Sequence, residues 1–265
     1  MNDCLQRGAG ILLPVFSLPS PYGIGTMGAE ARTFIDFLAQ AGQKYWQVLP
    51  VGPTGYGNSP YQSDSAFAGN PFLIDLVMLR EDGLLEQSDL DALPQSRDPG
   101  RVDYTEIRES RNRLLRRAAQ AGRRFLPEER EAFRRENRDW LPDYCLFKAL
   151  KQHFDGKTWL EWPDDIRFRR PEALAAWREA LSEEIDCREF VQFAFFRQWK
   201  QMKACAGERG IRLIGDLPIY VSGDSADVWA APQEYQLGEN LSPVSVAGVP
   251  PDAFSDKGQL WGNPL

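Results

Sequence analysis

Carboxylate side chains are the residues of this sequence that could carry out chemistry. A nucleophilic triad is not indicated, because the chain has one histidine and nothing links His153 to a particular serine. Two carboxyl groups that face a glycosidic bond, in contrast, can act as nucleophile and acid/base. The candidates lie in loops or at the ends of predicted strands: Asp64, Asp75, Asp216, Asp224 and Asp252.

A long glycine- and proline-rich segment at residues 52–71 follows the apolar run at residues 45–51. Glycine and proline disfavour a helix, so a loop is predicted, and loops of this length are often functional. It offers the aromatic rings of Tyr56, Tyr61 and Phe67 beside small polar side chains, without Lys, Arg or His. This mixture favours an uncharged polyhydroxylated ligand; a packed surface loop held by its tyrosines is the alternative.

Composition excludes several classes of function. The formal net charge of −7 argues against nucleic acid binding, which requires a basic face. Four cysteines without a CxxC pair and a single histidine argue against a zinc site, and no cofactor or metal is indicated. No secretory leader and no apolar run of about 18 residues is present, so we expect a cytoplasmic protein without a membrane segment.

The elements that must position these residues alternate at both ends of the chain. Strands are predicted at residues 10–16 and 45–51, with a helix at 28–42 between them, which favours a parallel pair. A third strand at 211–214 has Asp216 at its carboxyl end, where α/β folds place functional groups. A short strand or sheet edge is predicted from residue 72, with a turn at Asp82-Gly83, and the tail at 245–265 is predicted to be irregular.

The middle of the chain has a different composition: it is rich in Arg and Glu and poor in glycine. Helices are predicted at residues 106–121, 127–154, 171–181 and 183–207, and a short one at 225–230. Interleaved acidic and basic residues indicate solvated helix faces.

Six segments together resemble one enzyme family: GILLPVFSLPSPYGIGTMG, YWQVLPVGPTGYGNSPYQSDSAFAGNPFLIDL, RVDY, IGDLPIYV, DSADVW and VAGVPPDAFSDKGQLWGNPL. They are similar, in order and spacing, to the amylomaltases, which are 4-α-glucanotransferases (disproportionating enzymes) of glycoside hydrolase family 77 in the α-amylase superclan. The resemblance implies an α/β fold, a (β/α)8 TIM barrel with helical insertions, of which this chain supplies roughly the N-terminal half.

The same resemblance implies a division of the chain. Residues 1–103 would start the barrel and carry the aromatic loop 52–71, residues 104–207 would form a mainly helical insertion, and residues 208–265 would continue the barrel with a lid-like loop at 248–262. The chain looks truncated on this comparison. The nucleophilic Asp, the acid/base Glu and the third Asp of the family are expected beyond residue 265, so no catalytic residue is expected within the chain.

The residues that the resemblance does carry over are binding ones. Ser59 and Tyr61 match positions that line donor subsites, Asp216 matches a strand-end carboxylate, Asp252 lies in the loop that covers the glucan, and Trp261 matches an active-site aromatic. Tyr56 and Tyr104 match a possible second glucan site, where packing is an equal alternative.

The activity implied is transfer of an α-1,4-glucan segment to the 4-hydroxyl of another glucan or of glucose, by a retaining double displacement. Its partners would be α-1,4-glucans and maltooligosaccharides, without nucleic acid or membrane; the oligomeric state is not indicated. Two alternatives stay open: a non-catalytic glucan-binding or truncated barrel fragment, and an α-glucan hydrolase of the same superclan. An interaction protein built on the helical insertion would need an exposed apolar helix face, which the Arg/Glu pattern does not suggest.

Overall fold

A computed structural model describes residues 7–93 and 100–265. The chain divides into two compact units. The first comprises the residues up to Val51 together with Gly69–Phe125 and Val191–Leu217, and the second comprises Gly52–Ala68, Leu126–Phe190 and Pro218–Leu265.

Five strands and ten α-helices are present in the described residues. The strands are β1 (Gly10–Leu12), β2 (Tyr45–Gln47), β3 (Arg212–Ile214), β4 (Val246–Val249) and β5 (Gln259–Pro264). The helices are α1 (Ala29–Gln40), α2 (Leu76–Glu81), α3 (Gln87–Asp91), α4 (Tyr104–Ala121), α5 (Pro127–Glu136), α6 (Leu141–His153), α7 (Asp164–Arg167), α8 (Pro171–Ala180), α9 (Ser182–Glu208) and α10 (Ala226–Ala230).

A three-stranded parallel sheet in the order β1-β2-β3 lies in the first unit. The predicted strand–helix–strand arrangement and its parallel pairing are confirmed. Trp46 on the central strand is fully buried, and its indole N–H donates to the carbonyl of Leu13 at 2.7 Å. Helix α1 buries Ala31, Ile35 and Leu38 at helical spacing, as its sequence pattern predicts.

The strand predicted from residue 72 is wrong. The apolar run forms a 3₁₀ turn at Pro71–Leu73, followed by helix α2. Two side-chain caps explain the difference: Asn70 accepts a hydrogen bond from the backbone N–H of Phe72, and Asp75 accepts one from that of Met78. Such caps satisfy the first N–H groups of a helix, which a strand would leave to a neighbouring strand.

Two buried glutamines of α9 hold this capped segment. The amide of Gln192 accepts from the N–H of Gly69 at 2.8 Å and donates to its carbonyl at 3.0 Å. Gln198 does the same with Asp75, at 2.7 and 3.0 Å. Each side chain therefore satisfies both backbone groups of one residue that would otherwise be buried without a partner.

Helices dominate residues 126–190 of the second unit, as predicted. The single helix expected at 127–154 is instead two, α5 and α6, because the chain turns after Glu136 and Pro142 begins a new helix near its N-terminus. The core contains the rings of Phe147, Trp162 and Trp229, whose centroids lie 5.5 to 6.0 Å apart.

The tail is not irregular throughout, contrary to the sequence prediction. Strands β4 and β5 form an antiparallel hairpin with an irregularity between Val246 and Gly248. Asp252 and Gly258 shape its connecting loop: the Asp252 carboxylate accepts from the N–H groups of Phe254 and Ser255, both at 2.8 Å, and Gly258 has a φ of +71°. A nine-residue connection hides the strand alternation that a short hairpin would show.

Candidate functional site

Most of the long loop, residues 52–68, belongs to the second unit and folds back on itself. Thr54 and Ser63 form an isolated antiparallel bridge, and the N–H of Gly55 donates to the carbonyl of Gln62 at 2.9 Å. Between them lies a 3₁₀ turn at Tyr56–Asn58. The loop is therefore a small closed structure rather than an extended strap.

Ser59 and Tyr61, two predicted binding residues, follow that turn. The hydroxyl of Ser59 accepts from the N–H of Tyr61 at 3.3 Å, and its carbonyl accepts from Gln62 at 3.2 Å. Tyr61 is 46% exposed. The side chain of Tyr56, predicted at a second glucan site, lies outside the part of the chain that is described.

An ion pair fixes the base of this loop. The carboxylate of Asp64 lies 2.5 Å from the Lys148 ammonium on α6, and the two side chains are 13% and 25% exposed. The carbonyl of Asp64 also accepts from the N–H of Ala226 at 2.8 Å, at the start of α10. The residue therefore joins the loop to two helices.

Asp227 on α10 provides a second attachment. Its carboxylate accepts from the backbone N–H of Ala66 at 3.1 Å. Burial raises the pKa of Asp227 above its ordinary value of 3.8, and the hydrogen bond from Ala66 only partly opposes this effect. The loop is thus held by a carboxylate that is costly to ionise.

Asp216 lies in the first unit, near the carboxyl end of a strand, as the sequence predicts. It follows the carboxyl end of β3 by two residues and is half-buried. The neighbouring Leu217 is 76% exposed. The other predicted substrate-binding residues, Ser59, Tyr61, Asp252 and Trp261, all belong to the second unit.

Trp261 lies on β5 of the terminal hairpin and is 42% exposed. Its indole N–H donates to Gln259 at 3.0 Å, and its ring centroid lies 6.4 Å from that of Tyr220. Asp252, in the loop of the same hairpin, uses one carboxylate oxygen to cap the turn, while Phe254 beside it is 93% exposed. The hairpin thus presents aromatic side chains to solvent on a fixed backbone.

Tyr104 makes packing contacts in the first unit. It is the first residue of α4, and its ring lies 6.2 Å from that of Phe72 in a cluster with Ile24 and Ile107. Burial raises the pKa of its phenol. These contacts agree with the packing role that the sequence left as an equal alternative.

Sequence reasoning missed the lysines that position the loops. Lys148 and Lys151 lie one turn apart on α6 and pair with Asp64 and with Asp224, the latter at 2.6 Å. The sequence did contain a sign of them: two lysines, at i and i+3, interrupt the apolar run CLFKALK. A buried charge needs a partner, so each lysine could have been expected to pair with a carboxylate.

Residues 7–93 and 100–265 contain neither a metal-binding cluster nor a membrane-spanning helix. No group of three or more His, Cys, Asp or Glu side chains is placed to hold a metal ion there. Within the same described residues, none of the helices is both long and apolar enough to cross a bilayer.

Comparison with known proteins gives a consistent result. A family model described as 4-alpha-glucanotransferase, glycoside hydrolase family 77, matches residues 13–265. The 4-alpha-glucanotransferase of Thermus thermophilus is 51% identical across 98% of this chain, and that of a Synechocystis species is 48% identical across 98%. Each match covers 52% of the relative, so the chain spans about half the length of the curated relatives it matches.

A solved structure agrees with these relatives. The amylomaltase from Streptococcus agalactiae in complex with acarbose superposes with a TM-score of 0.94 at 43% identity, over 98% of this chain and 53% of that one. With the family model matching nearly the whole sequence, this chain belongs to the 4-alpha-glucanotransferase family, glycoside hydrolase family 77.

Proposed function

We propose that the natural protein containing this chain is a 4-α-glucanotransferase. It would cleave an α-1,4-glucan and pass one part to the 4-hydroxyl of an acceptor glucan or of glucose. The observation that carries the proposal is 51% identity to a 4-alpha-glucanotransferase along 98% of the chain. Because the chain spans about half of that relative, the proposal concerns the whole protein.

The parallel sheet β1-β2-β3 would be the first part of a (β/α)8 barrel. In such barrels, active sites lie at the carboxyl ends of the strands, and Asp216 occupies this position after β3. Residues 1–103 would start the barrel, residues 104–207 would be the helical insertion, and residues 208–265 would continue the barrel.

The ligand would be an α-1,4-glucan or a maltooligosaccharide, and four of the five proposed binding residues, Ser59, Tyr61, Asp252 and Trp261, belong to the second unit. Ser59 and Tyr61 would line donor subsites, with the exposed Tyr61 ring against the apolar face of a glucose unit. Trp261 would stack similarly. The absence of Lys, Arg and His from residues 52–71 supports an uncharged ligand.

The remaining assignments follow the family. Asp216 would hydrogen-bond sugar hydroxyls or hold catalytic groups in place, and Asp252 would reach the glucan from the loop 248–262. Tyr56 and Tyr104 would belong to a second glucan site. For Tyr104 this requires a face of the ring that the contact with Phe72 leaves accessible.

The chemistry would need three carboxylates that are expected beyond residue 265. A retaining mechanism uses two carboxyl groups about 5–5.5 Å apart, which form and resolve a covalent glucosyl intermediate. Transfer exceeds hydrolysis only if water is kept from that intermediate. The loops 52–71 and 248–262 would exclude water and position the acceptor. No cofactor is needed for these steps, and a cytoplasmic location stays a prediction.

The test is incubation of the natural full-length protein with maltotriose, followed by chromatography of the products. A transferase gives glucose together with a ladder of longer maltooligosaccharides. A hydrolase of the same superclan gives glucose and maltose with a steady rise in reducing ends. A protein that binds maltotriose and forms no product would be the non-catalytic alternative.

The loop assignment has its own test in Tyr61→Ala. Loss of one stacked ring should lower kcat/KM for maltotriose about tenfold, which corresponds to about 1.4 kcal/mol, and should raise the hydrolysed share of the product. Phe168→Ala is the matched control, because Phe168 is a similarly exposed ring of the same unit at 43% and lies outside both loops. Equal kinetics for the two variants would contradict the role of Tyr61.

A further inference from the structure

A cavity of about 320 Å³ lies within the second unit, beside the hairpin β4–β5. Its lining includes Trp159, Asp224, Leu241 and Trp261. We propose that this cavity binds one glucosyl unit of an α-glucan and extends the site at Trp261. The inference rests on the proposed function, since it names a further subsite for the same substrate.

The walls combine the two kinds of surface that a pyranose presents. Trp261 contributes an indole that is 42% exposed, and Leu160, Leu241 and Pro243 contribute aliphatic surface. These groups can cover the C–H faces of a sugar ring, whereas the hydroxyls around its edge need polar partners.

Polar partners are present in the same lining. Gln62, Thr158, Ser222 and Asp224 bring an amide, two hydroxyls and a carboxylate to the cavity. The hydroxyl of Ser222 accepts from the N–H of Asp224 at 3.3 Å and, as a hydroxyl, also has a hydrogen to donate. A sugar hydroxyl can be both donor and acceptor, so it suits this mixture.

The charges nearest the cavity are paired, which favours a neutral ligand. Arg167, which donates to the carbonyl of Leu160 at 3.1 Å, lies 2.8 Å from the Asp164 carboxylate. Lys151 is the cation paired with Asp224 of the lining, and its ammonium has three N–H groups. Three acceptors take them: the Asp224 carboxylate at 2.6 Å and the carbonyls of Gly156 and Lys157 at 2.8 and 2.9 Å. The carboxylate is neutralised by this ammonium and also accepts from the N–H of Trp159 at 3.2 Å. The cavity therefore offers no strong field to a phosphate and suits a neutral ligand.

Hydrogen bonds keep the cavity open. The buried indole of Trp159 donates to the carbonyl of Gly223 at 2.8 Å. Gln62, another lining residue, donates from its amide to Asn263 at 3.2 Å, and Asn263 donates to the carbonyl of Val221 at 2.7 Å. A space of this volume holds about ten waters at the density of the liquid, and a sugar would replace several of them. The walls are thus formed before the ligand binds.

Gly223 allows the cavity to be filled without backbone strain. A β-carbon built there would lie 3.7 Å from Pro264 and 4.0 Å from the carbonyl of Gly262, which is ordinary contact. Gly223→Phe would therefore place a ring in the space that the glucosyl unit needs. Gly207→Phe is the matched control, because a β-carbon at Gly207 would meet nothing within 4 Å.

The readout is the ratio of kcat/KM for maltoheptaose to kcat/KM for maltotriose, measured on the natural full-length protein. We expect Gly223→Phe to lower this ratio about tenfold, because only the longer chain can reach an added subsite while occupying the others. Gly207→Phe should keep the wild-type ratio. A folded Gly223→Phe variant with the wild-type ratio would overturn the inference. If Gly223→Phe does not fold, the same ratio is measured for Gly223→Leu, and a wild-type value would again overturn it.

A second measurement separates this inference from the proposed function. A maltoheptaose complex of the wild-type protein should show a glucosyl unit inside the cavity, in contact with Asp224 and Leu241 as well as Trp261. A cavity filled only with water beside a bound glucan would refute the inference. If the wild-type protein forms no ladder from maltotriose, the proposed function fails. In that case, weaker maltoheptaose binding by Gly223→Phe than by Gly207→Phe in calorimetry supports the subsite, and equal binding refutes it.

Discussion

Replacing Lys148 by methionine should release the long loop from α6. Methionine keeps much of the side-chain length and removes the charge, so the Asp64 carboxylate, 13% exposed, loses its partner. Breaking a fully buried ion pair in this way costs about 3–5 kcal/mol, whereas an exposed pair contributes about 0–1 kcal/mol. Because the Lys148 side chain is 25% exposed, we expect an intermediate loss of about 2 kcal/mol in the free energy of unfolding.

Calorimetry of the natural protein measures this effect. For a cooperative domain of 150–250 residues, a loss of about 2 kcal/mol lowers the Tm by about 4–8 °C. The loop that Asp64 anchors also carries Ser59 and Tyr61, so the KM for maltotriose should rise in the same variant. Lys200→Met is the control, since this exposed lysine of α9 should change the free energy of unfolding by less than about 0.5 kcal/mol.

The double variant Lys148→Met, Asp64→Asn tests the physical reason. If the loss comes from an unpaired carboxylate, then a neutral amide of similar shape should recover most of it. The double variant should therefore be more stable than Lys148→Met alone. A double variant that is no more stable would show that the lysine acts through packing, and the electrostatic reasoning would be refuted.

Three further changes test the two units. In Gly69→Ala the new β-carbon would overlap the ring of Phe195, so urea titration should show a loss of about 2 kcal/mol, whereas Gly207→Ala, with open space on α9, should be neutral or stabilising. Gln192→Leu leaves the buried N–H and carbonyl of Gly69 without their amide partner and should cost about 3 kcal/mol in the same titration. Burial raises the pKa of Asp227, so folding favours its protonated form and its contribution to stability falls as pH rises above 3.8. Asp227→Asn should therefore gain stability relative to the wild type as pH rises above 3.8, and parallel profiles would contradict this cause.

Local patterns predicted the parts of the fold that local forces decide. Hydrophobic periodicity predicts the helix at Ala29–Gln40 and the two parallel strands at Gly10–Leu12 and Tyr45–Gln47 on either side of it. Gly42, whose φ is +69°, marks the end of the helix. The segment after Asn70 was misread because its apolar run satisfies both the strand and the buried-helix patterns. The caps at Asn70 and Asp75 were visible in the sequence and would have decided between them.

The candidate site was predictable only as far as its motifs extend. The family resemblance predicts binding roles for Ser59, Tyr61 and Trp261, but the groups that position the long loop lie far along the chain. Asp64 and Lys148 are 84 residues apart, and no periodicity relates them. The cavity beside Trp261 also gave no signal in the sequence, because its walls come from five separate segments that are brought together only by folding.

The two buried glutamines of α9 also fix the number of residues between Gly69 and Asp75. Gln192 and Gln198 are six residues apart, and so are their partners Gly69 and Asp75, which run in the same direction. Six residues of helix advance about 9 Å, whereas six extended residues would advance about 20 Å. The 3₁₀ turn at Pro71–Leu73 contracts the segment so that both contacts can form at once. An inserted or deleted residue between the two contacts would leave only one of them in register, so this segment should tolerate no change of length.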